Sequence, residues 1–288
     1  MSAQNLFLKL ETNQPFFSSV ERRIADLILK EPQLFINCSM ADAAQLAGVS
    51  QGSLNNFARK ISGGGFAALK LQLAQQLPEY IPAQEQETFN SVAEGDGVKD
   101  VLCKSVSRIS RAFLNTAELN GEEALRNTVS LIRRAKRIEI YGIYQSGLAA
   151  TDFYYQLLRL GLPAVVVTEV LMCSVSATML DKDSLVIAIS SSGKTKDILD
   201  AVKIAKERKV PVVCITSNSN GPIARFADEV LVTLPSKTSI SERMDETHLS
   251  QLFLIDCLCS YIRHQTDEDG AKQFYRLEGI LNSHSVDD

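Results

Sequence analysis

Hydrophobic positions change period once along the chain. Between residues 18 and 77 they recur every three or four positions; after Lys136 they gather in short runs separated by amphipathic stretches. Ser18-Ser19-Val20-Glu21 places a glutamate within a turn of a hydroxyl and predicts a helix start, with Ile24, Leu27 and Ile28 on one face and Pro32 closing it. Ser39-Met40-Ala41-Asp42 repeats the pattern with Asp42 in place of Glu and leads into the alanine-rich run 43–47. Gly48-Val49 then makes a turn, Ser50 caps a helix over 51–61, Gly63-Gly64-Gly65 ends it, and residues 66–77 form a last amphipathic helix. Two short helices across a glycine turn, the first small-faced and the second polar outside, form a helix-turn-helix pattern. A plain helical hairpin with a solvated polar face is the alternative.

Residues 78–97 are polar and aperiodic, with Pro78, Pro82 and Gly95-Asp96-Gly97, and read as a linker between a domain at 1–78 and one at 98–288. Helical periodicity resumes over 98–119 and 122–135. Apolar runs at 138–142, 163–167, 184–189, 210–215 and 229–233 then predict five strands, separated by helices at 148–160, 174–179, 197–206 and 223–227. Short apolar strands alternating with helices imply a parallel sheet covered on both faces, with ligands at the carboxyl ends of the strands.

Those ends hold the candidate chemistry. The run 186–199 passes from apolar residues to Ser190, Ser191, Ser192 and Thr195, with Gly193 among them, and resumes as a helix near Lys194. Gly193 lets the backbone turn its amides inward, and the positive end of a helix favours an anion, so a phosphate fits here with little help from charged side chains. A serine-rich helix cap without a ligand is the competing reading. Two other strand ends, Gln145-Ser146-Gly147 and Thr216-Ser217, carry similar small polar loops, and their convergence favours the phosphate.

In the helix-turn-helix pattern the second helix enters the major groove with its first residues toward base edges. Its start at Ser50, with Gln51, Ser53, Asn55 and Asn56, supplies the candidate readers, while Leu54, Phe57, Ala58 and Ile61 pack inward. Arg59 and Lys60, with Lys70 on the next helix, suit phosphates. Charge agrees with this division. The net charge is −4, but residues 1–78 hold seven Lys+Arg against five Asp+Glu, a balance of +2 that leaves −6 elsewhere, and residues 50–77 contain no acid.

Composition narrows the class. With 45% hydrophobic and 22% charged residues, no apolar run near the roughly 18 residues of a membrane helix and no signal-peptide pattern, the chain reads as cytoplasmic, with no membrane partner. Its six cysteines, Cys38, Cys103, Cys173, Cys214, Cys257 and Cys259, form no CxxC pair, so they read as reduced, buried packing residues; no metal and no cofactor are expected.

Gly142-x-x-x-Ser146-Gly147, Ile189-Ser190-x-Ser192-Gly193-x-Thr195 and Ile215-Thr216-Ser217 resemble the SIS (sugar isomerase) domain, a five-stranded parallel α/β fold that binds phosphosugars. Val49-Ser50, Phe57-Ala58-Arg59-Lys60-Ile61 and Gly65-Phe66-x-x-Leu69-Lys70 are similar to the DNA-binding signature of the RpiR family of bacterial transcriptional regulators, in which a helix-turn-helix precedes a SIS domain. The resemblance implies an all-α helix-turn-helix domain followed by an α/β SIS domain. Ser146, Ser190, Ser192 and Thr195 would then hold a phosphate, with Thr216 and Ser217 lining the same pocket. HexR-like members make 2-keto-3-deoxy-6-phosphogluconate a candidate effector. Departures from the family pattern are Tyr144 where a second glycine is frequent, Asn56 where a cation is common, and His248 where Arg is common.

The expected function is a ligand-controlled regulator of carbohydrate metabolism genes. It would be a homodimer or homotetramer, paired through helices such as 249–262, that binds double-stranded operator DNA with inverted-repeat symmetry. The alternative is a phosphosugar isomerase with an accessory helical oligomerisation domain, drawing its acid-base group from Glu242, Glu246 or His248. A basic helical domain serves a regulator and adds nothing to an isomerase.

Overall fold

The computed structural model describes residues 5–77, 95–234 and 244–265, with only the backbone for 244 and 245. Glu242 and most of the expected linker lie outside the described residues. The chain divides between Leu119 and Asn120 into two compact units, so the helix at 98–119, grouped with the second domain above, falls with the first.

The first unit is helical: α1 (Leu6–Asn13), α2 (Ser19–Lys30), α3 (Pro32–Asn37), α4 (Met40–Leu46), α5 (Gln51–Ser62), α6 (Phe66–Gln76) and α7 (Val98–Leu119). The predicted caps are present. Ser18 and Glu21 close a full capping box, Ser39 accepts from the Asp42 amide, and Ser50 from that of Ser53. Pro32 does stop α2, but it also opens α3, since at a first helical position its missing N–H is no loss. Helix α1 escaped the reading of the sequence; its Leu6, Phe7 and Leu10 join Ile24, Ile28, Phe35, Leu54, Phe57, Ile61 and Leu69 in one core.

The second unit begins with α8 (Glu122–Arg134) and builds a five-stranded sheet, all parallel, from β1 (Arg137–Gly142), β2 (Ala164–Val167), β3 (Ser184–Ile189), β4 (Val212–Thr216) and β5 (Glu229–Val232) in the order β2-β1-β3-β4-β5. The connecting helices are α9 (Gln145–Arg159), α10 (Val170–Ala177) and α11 (Lys196–Glu207); α12 (Met244–His264) closes the unit. Alternating strand residues supply two cores. Ile138, Ile140, Ile187 and Ile215 meet α8, α9 and α12 on one face, while Tyr141, Val186, Val212 and Cys214 meet α10 and α11 on the other.

Several expectations are corrected. Helix α9 starts at Gln145 rather than Leu148, because the chain turns from β1 within two residues, Ile143 and Tyr144, the second at positive φ. Helix α10 spans Val170–Ala177, earlier than the expected 174–179, and only a 3-10 turn at Ala224–Phe226 occupies the expected last crossover helix. Cys103 and Cys257 are exposed, not buried; Cys173, Cys214 and Cys259 are the packing thiols, pushed by burial up to about 11, 12 and 12. Within α12, the helix expected to pair two copies, Leu254, Ile255, Leu258 and Ile262 pack on the unit's own sheet. Among the described residues no helix is long and apolar enough to cross a membrane, and no group of three or more His, Cys, Asp or Glu could hold a metal ion.

One charge lies inside the sheet. Glu139 on β1 is fully buried; its Oε2 accepts from Tyr141 Oη at 2.5 Å and its Oε1 from Ser176 Oγ at 2.7 Å and from Arg137 Nε at 2.9 Å. Burial and this bond raise the Tyr141 pKa well above the usual phenol value. Because β1 and α10 are tied through this carboxylate, Glu139→Ala should lower stability by about 3 kcal/mol in urea unfolding, the usual effect of opening a buried charge network. Arg137→Ala, which leaves the carboxylate buried without its cation, should have an effect of similar size.

Candidate functional site

In the first unit α4 and α5 meet across Gly48, whose φ of +62° provides the left-handed residue that ends α4, with Val49 N donating to Ala44 O at 2.9 Å. Leu54, Phe57, Ala58 and Ile61 are buried, as expected. The outward residues of α5 are Gln51, Gly52, Asn56, Arg59 and Lys60. The other candidate readers have internal bonds. Ser50 and Ser53 hydroxyls lie 2.9 Å apart, and Asn55 Oδ1 accepts from Phe66 N at 3.3 Å, supporting the start of α6. Lys60 pairs with Glu21 at 2.7 Å and lies over the Phe17 ring; Lys70 donates to Cys38 O at 2.6 Å at the end of α3. Arg23 on α2, not singled out from the sequence, is exposed, and its Nη1 lies 3.3 Å from where a Cβ on Gly48 would sit. Only spatial proximity to the turn distinguishes it from any other surface arginine.

In the second unit the serine loops follow the carboxyl ends of adjacent strands β1 and β3. The strand order reverses there, the topological switch point where ligands of open parallel sheets bind. At the end of β1, a Cβ on Gly142 would come within 2.4 Å of Ser146 O, so only glycine lets α9 start this close to the strand. Gly147 N donates to Tyr144 O at 2.9 Å, and Tyr144 takes φ 55°, ψ −127°, with 88% of its surface exposed. At the end of β3, Gly193 takes φ +63° and donates to Ser190 O at 3.0 Å. Ser190 Oγ and Thr195 Oγ1 are 3.0 Å apart, and Ser192 Oγ accepts from Lys194 N at 3.2 Å.

Neither Tyr144 before α9 nor Thr195 before α11 makes a side-chain cap bond. That disfavours the ligand-free serine cap: the first turn of α11 has no side-chain cap and can face an anion, while in the first turn of α9 the Gly147 amide is taken by Tyr144 O. Gln251 of α12, missed in the sequence reading, joins the loops: buried to 1%, its Nε2 donates to Ser191 Oγ at 3.0 Å and lies 3.4 Å from Ser146 Oγ. A lone glutamine carries no motif, so no sequence signal pointed to it. Thr216 and Ser217 brace the loop from beneath. Both are buried, Ser217 N donates to Ser191 O at 3.0 Å, and Thr216 Oγ1 donates to the same carbonyl at 3.3 Å. Asn218 Nδ2 donates to Ser192 O at 3.0 Å while its Oδ1 is buried without a hydrogen bond. His248 lies one turn before Gln251 on α12, and its Nδ1 is likewise buried and unbonded. The orphaned Asn218 Oδ1, on a side chain bonded to the β3 loop, fits a site that completes its hydrogen bonds with a ligand.

Comparison with known proteins follows the same division. The sequence pattern of the helix-turn-helix domain, rpiR family, matches residues 4–79, and that of the SIS domain matches residues 131–261. An HTH-type transcriptional regulator of Thermotoga maritima is 31% identical over 84% of this chain and 86% of its own length. The bifunctional protein glk of Burkholderia orbicola is 30% identical over 88% of this chain, which spans only 39% of that longer protein. Among solved structures, NanR of Vibrio vulnificus, complexed with ManNAc-6P, shares the fold with a TM-score of 0.62 over 98% of this chain and all of that one, at 22% identity.

The Tyr144 backbone is a conformation for which glycine is the natural occupant, and holding a tyrosine there costs on the order of 1–3 kcal/mol. Glycine adds roughly 0.5–1 kcal/mol of unfolded-state freedom. Tyr144→Gly should therefore raise stability by about 1 kcal/mol in denaturant unfolding. A loss would mean that the phenol packs structurally.

Proposed function

The chain belongs to the rpiR family of helix-turn-helix transcriptional regulators that carry a SIS domain, and from that premise we propose that its operator binding is modulated by a phosphorylated sugar held between the β1 and β3 loops. The observation that carries the reading is the pairing of two uncapped helix N-termini at the switch point, bridged by Gln251. Ser190, Ser192, Thr195 and the amides of α9 and α11 take the phosphate; Ser146 is held in register through Gln251. Tyr144, strained and exposed at the mouth, covers the sugar, with Gln145 beside it, and His248 completes its bonding on a polar group of the ligand. Thr216 and Ser217 act by fixing the loop.

On the DNA side Gln51 and Asn56 read bases, with Arg59 and Arg23 on phosphates. The protein acts as a symmetric oligomer on an inverted repeat, and the exposed Leu171, Met172 and Val175 of α10 offer the apolar surface for pairing. Candidate effectors are six-carbon or larger sugar acids and amino sugars bearing a phosphate, a class that includes 2-keto-3-deoxy-6-phosphogluconate and the ManNAc-6P of NanR. A second reading, phosphosugar isomerisation, draws support from His248, a titratable group whose buried nitrogen has no bond.

Two measurements separate these readings. A thermal-shift panel of phosphosugars should reveal one ligand that stabilises by about 2.7 kcal/mol at 100 times its Kd, and that ligand should change the affinity for DNA fragments selected by the purified protein. Ser192→Ala and Thr195→Ala should abolish the shift and keep DNA binding, whereas Asn56→Ala should do the reverse. DNA binding indifferent to every phosphosugar would sink the switch, and turnover of the stabilising sugar by the pure protein would establish the isomerase.

A further inference from the structure

A groove runs between α8 and α12 on the side of the second unit away from the serine loops' end of α12. Tyr261 in the groove and Gln251 at the serine loops are ten residues apart on this helix, about 15 Å at 1.5 Å per residue. The groove consists of two adjoining cavities, of about 390 Å³ and about 260 Å³, that share Arg126, Val129 and Tyr261. Together they fall in the size range of small-molecule sites.

The two ends differ in chemistry. The larger cavity adds Arg133 and Arg134 and has no acid in its lining. The smaller adds Leu125, Leu258 and Cys257, with Glu122. Glu122 is bonded by Arg126, Nε to Oε1 at 2.9 Å, which accounts for one of the three guanidiniums. The other two bond to uncharged oxygens. Arg133 Nη1 donates to Gln265 O at 3.1 Å, and Arg134 Nε to Ser130 O at 3.2 Å. Compensation of the α8 dipole favours cations at its last turn, but a partial charge of about one half does not neutralise two guanidiniums side by side. Each also retains unused N–H donors in the planar fork that suits a phosphate or carboxylate. The half-buried Tyr261 stands where charged and apolar ends join, offering a ring face to whatever extends from the anion.

We propose that this groove is a second ligand site, for a small molecule with one phosphate or carboxylate attached to a compact apolar or planar body. The anion lies against Arg133 and Arg134, and the body passes Tyr261 toward Leu125 and Leu258.

The test uses the full chain carrying Ser192→Ala and Thr195→Ala, which silences the serine-loop site, and calorimetric titration with inorganic phosphate and with phenyl phosphate. One phenyl phosphate per chain should bind, several-fold more tightly than inorganic phosphate. Adding Arg133→Gln and Arg134→Gln should weaken phenyl phosphate at least tenfold. Ser130→Glu, which puts a carboxylate on an exposed lining position of the same helix, should do the same without removing an arginine, and covers the case in which the arginine variants fail to fold. Absence of phenyl phosphate binding in the Ser192→Ala, Thr195→Ala protein overturns the proposal, as does undiminished binding in either set of groove variants. Equal affinity for the two probes overturns the apolar half of the site.

Discussion

The second unit depends on a close approach between backbone and backbone. Gly142 ends β1 so near the first turn of α9 that a single methyl group would collide with Ser146 O. The chain has two residues, Ile143 and Tyr144, in which to turn from strand to helix, and the second accepts a positive φ. Helix α9 therefore begins without room for a capping side chain, its amides directed past the end of β1. Across the sheet β3 does the same by other means, with Gly193 in the left-handed region and the hydroxyl of Thr195 turned to Ser190 instead of to the helix it precedes. Other helices of the chain, such as α6 and α8, also lack a side-chain cap; what distinguishes these two is where they start. Placed side by side at the switch point, they are what the proposed phosphate site would use, with donors drawn mostly from backbone.

That construction explains what was legible in the sequence. Strand and helix periods were readable because a parallel sheet buried on both faces leaves continuous apolar runs, such as 184–189, between amphipathic helices. The serine loops were readable because their glycines and hydroxyls are local necessities of tight turns. The start of α9 was not, since Gln145-Ser146-Gly147 has loop composition and its helical start depends on the close approach that Gly142 permits. Gln251 was hidden for the opposite reason: it lies mid-helix, among apolar residues, and matters only because the fold returns α12 to loops more than fifty residues away.

The helix-turn-helix shows the same limit at the level of side chains. The caps of α2, α4 and α5 are local and appear as predicted. What each polar residue on α5 does is not local. Asn55 and Asn56 look equivalent in sequence, yet 100° of helix rotation turns one toward the α6 amide and the other to solvent. Likewise Lys60 and Lys70 count toward a basic lobe but are bonded within it, whereas Arg23 lies beside the turn without any pattern announcing it. A net charge of +2 falls on the residues that the helix-turn-helix pattern matches and says little about which cations would face phosphates.

A site made of amides and hydroxyls also bears on sensing against catalysis. Such donors bind a phosphate equally well in a ground state and in a transition state, and uniform binding of this kind gives affinity without rate. A regulator needs only that affinity, provided it differs between the conformations that do and do not bind DNA. Under the proposed function Gln251 would supply a route for such a difference, since its side chain reaches Ser146 and Ser191 from one long helix. Helix α12 packs its apolar face along the sheet and against α8, so a shift at its loop end cannot relax locally without disturbing that packing. Moving as a unit would then be the cheaper response, so a rearrangement at the two hydroxyls on ligand binding would be carried along the helix rather than absorbed at its end.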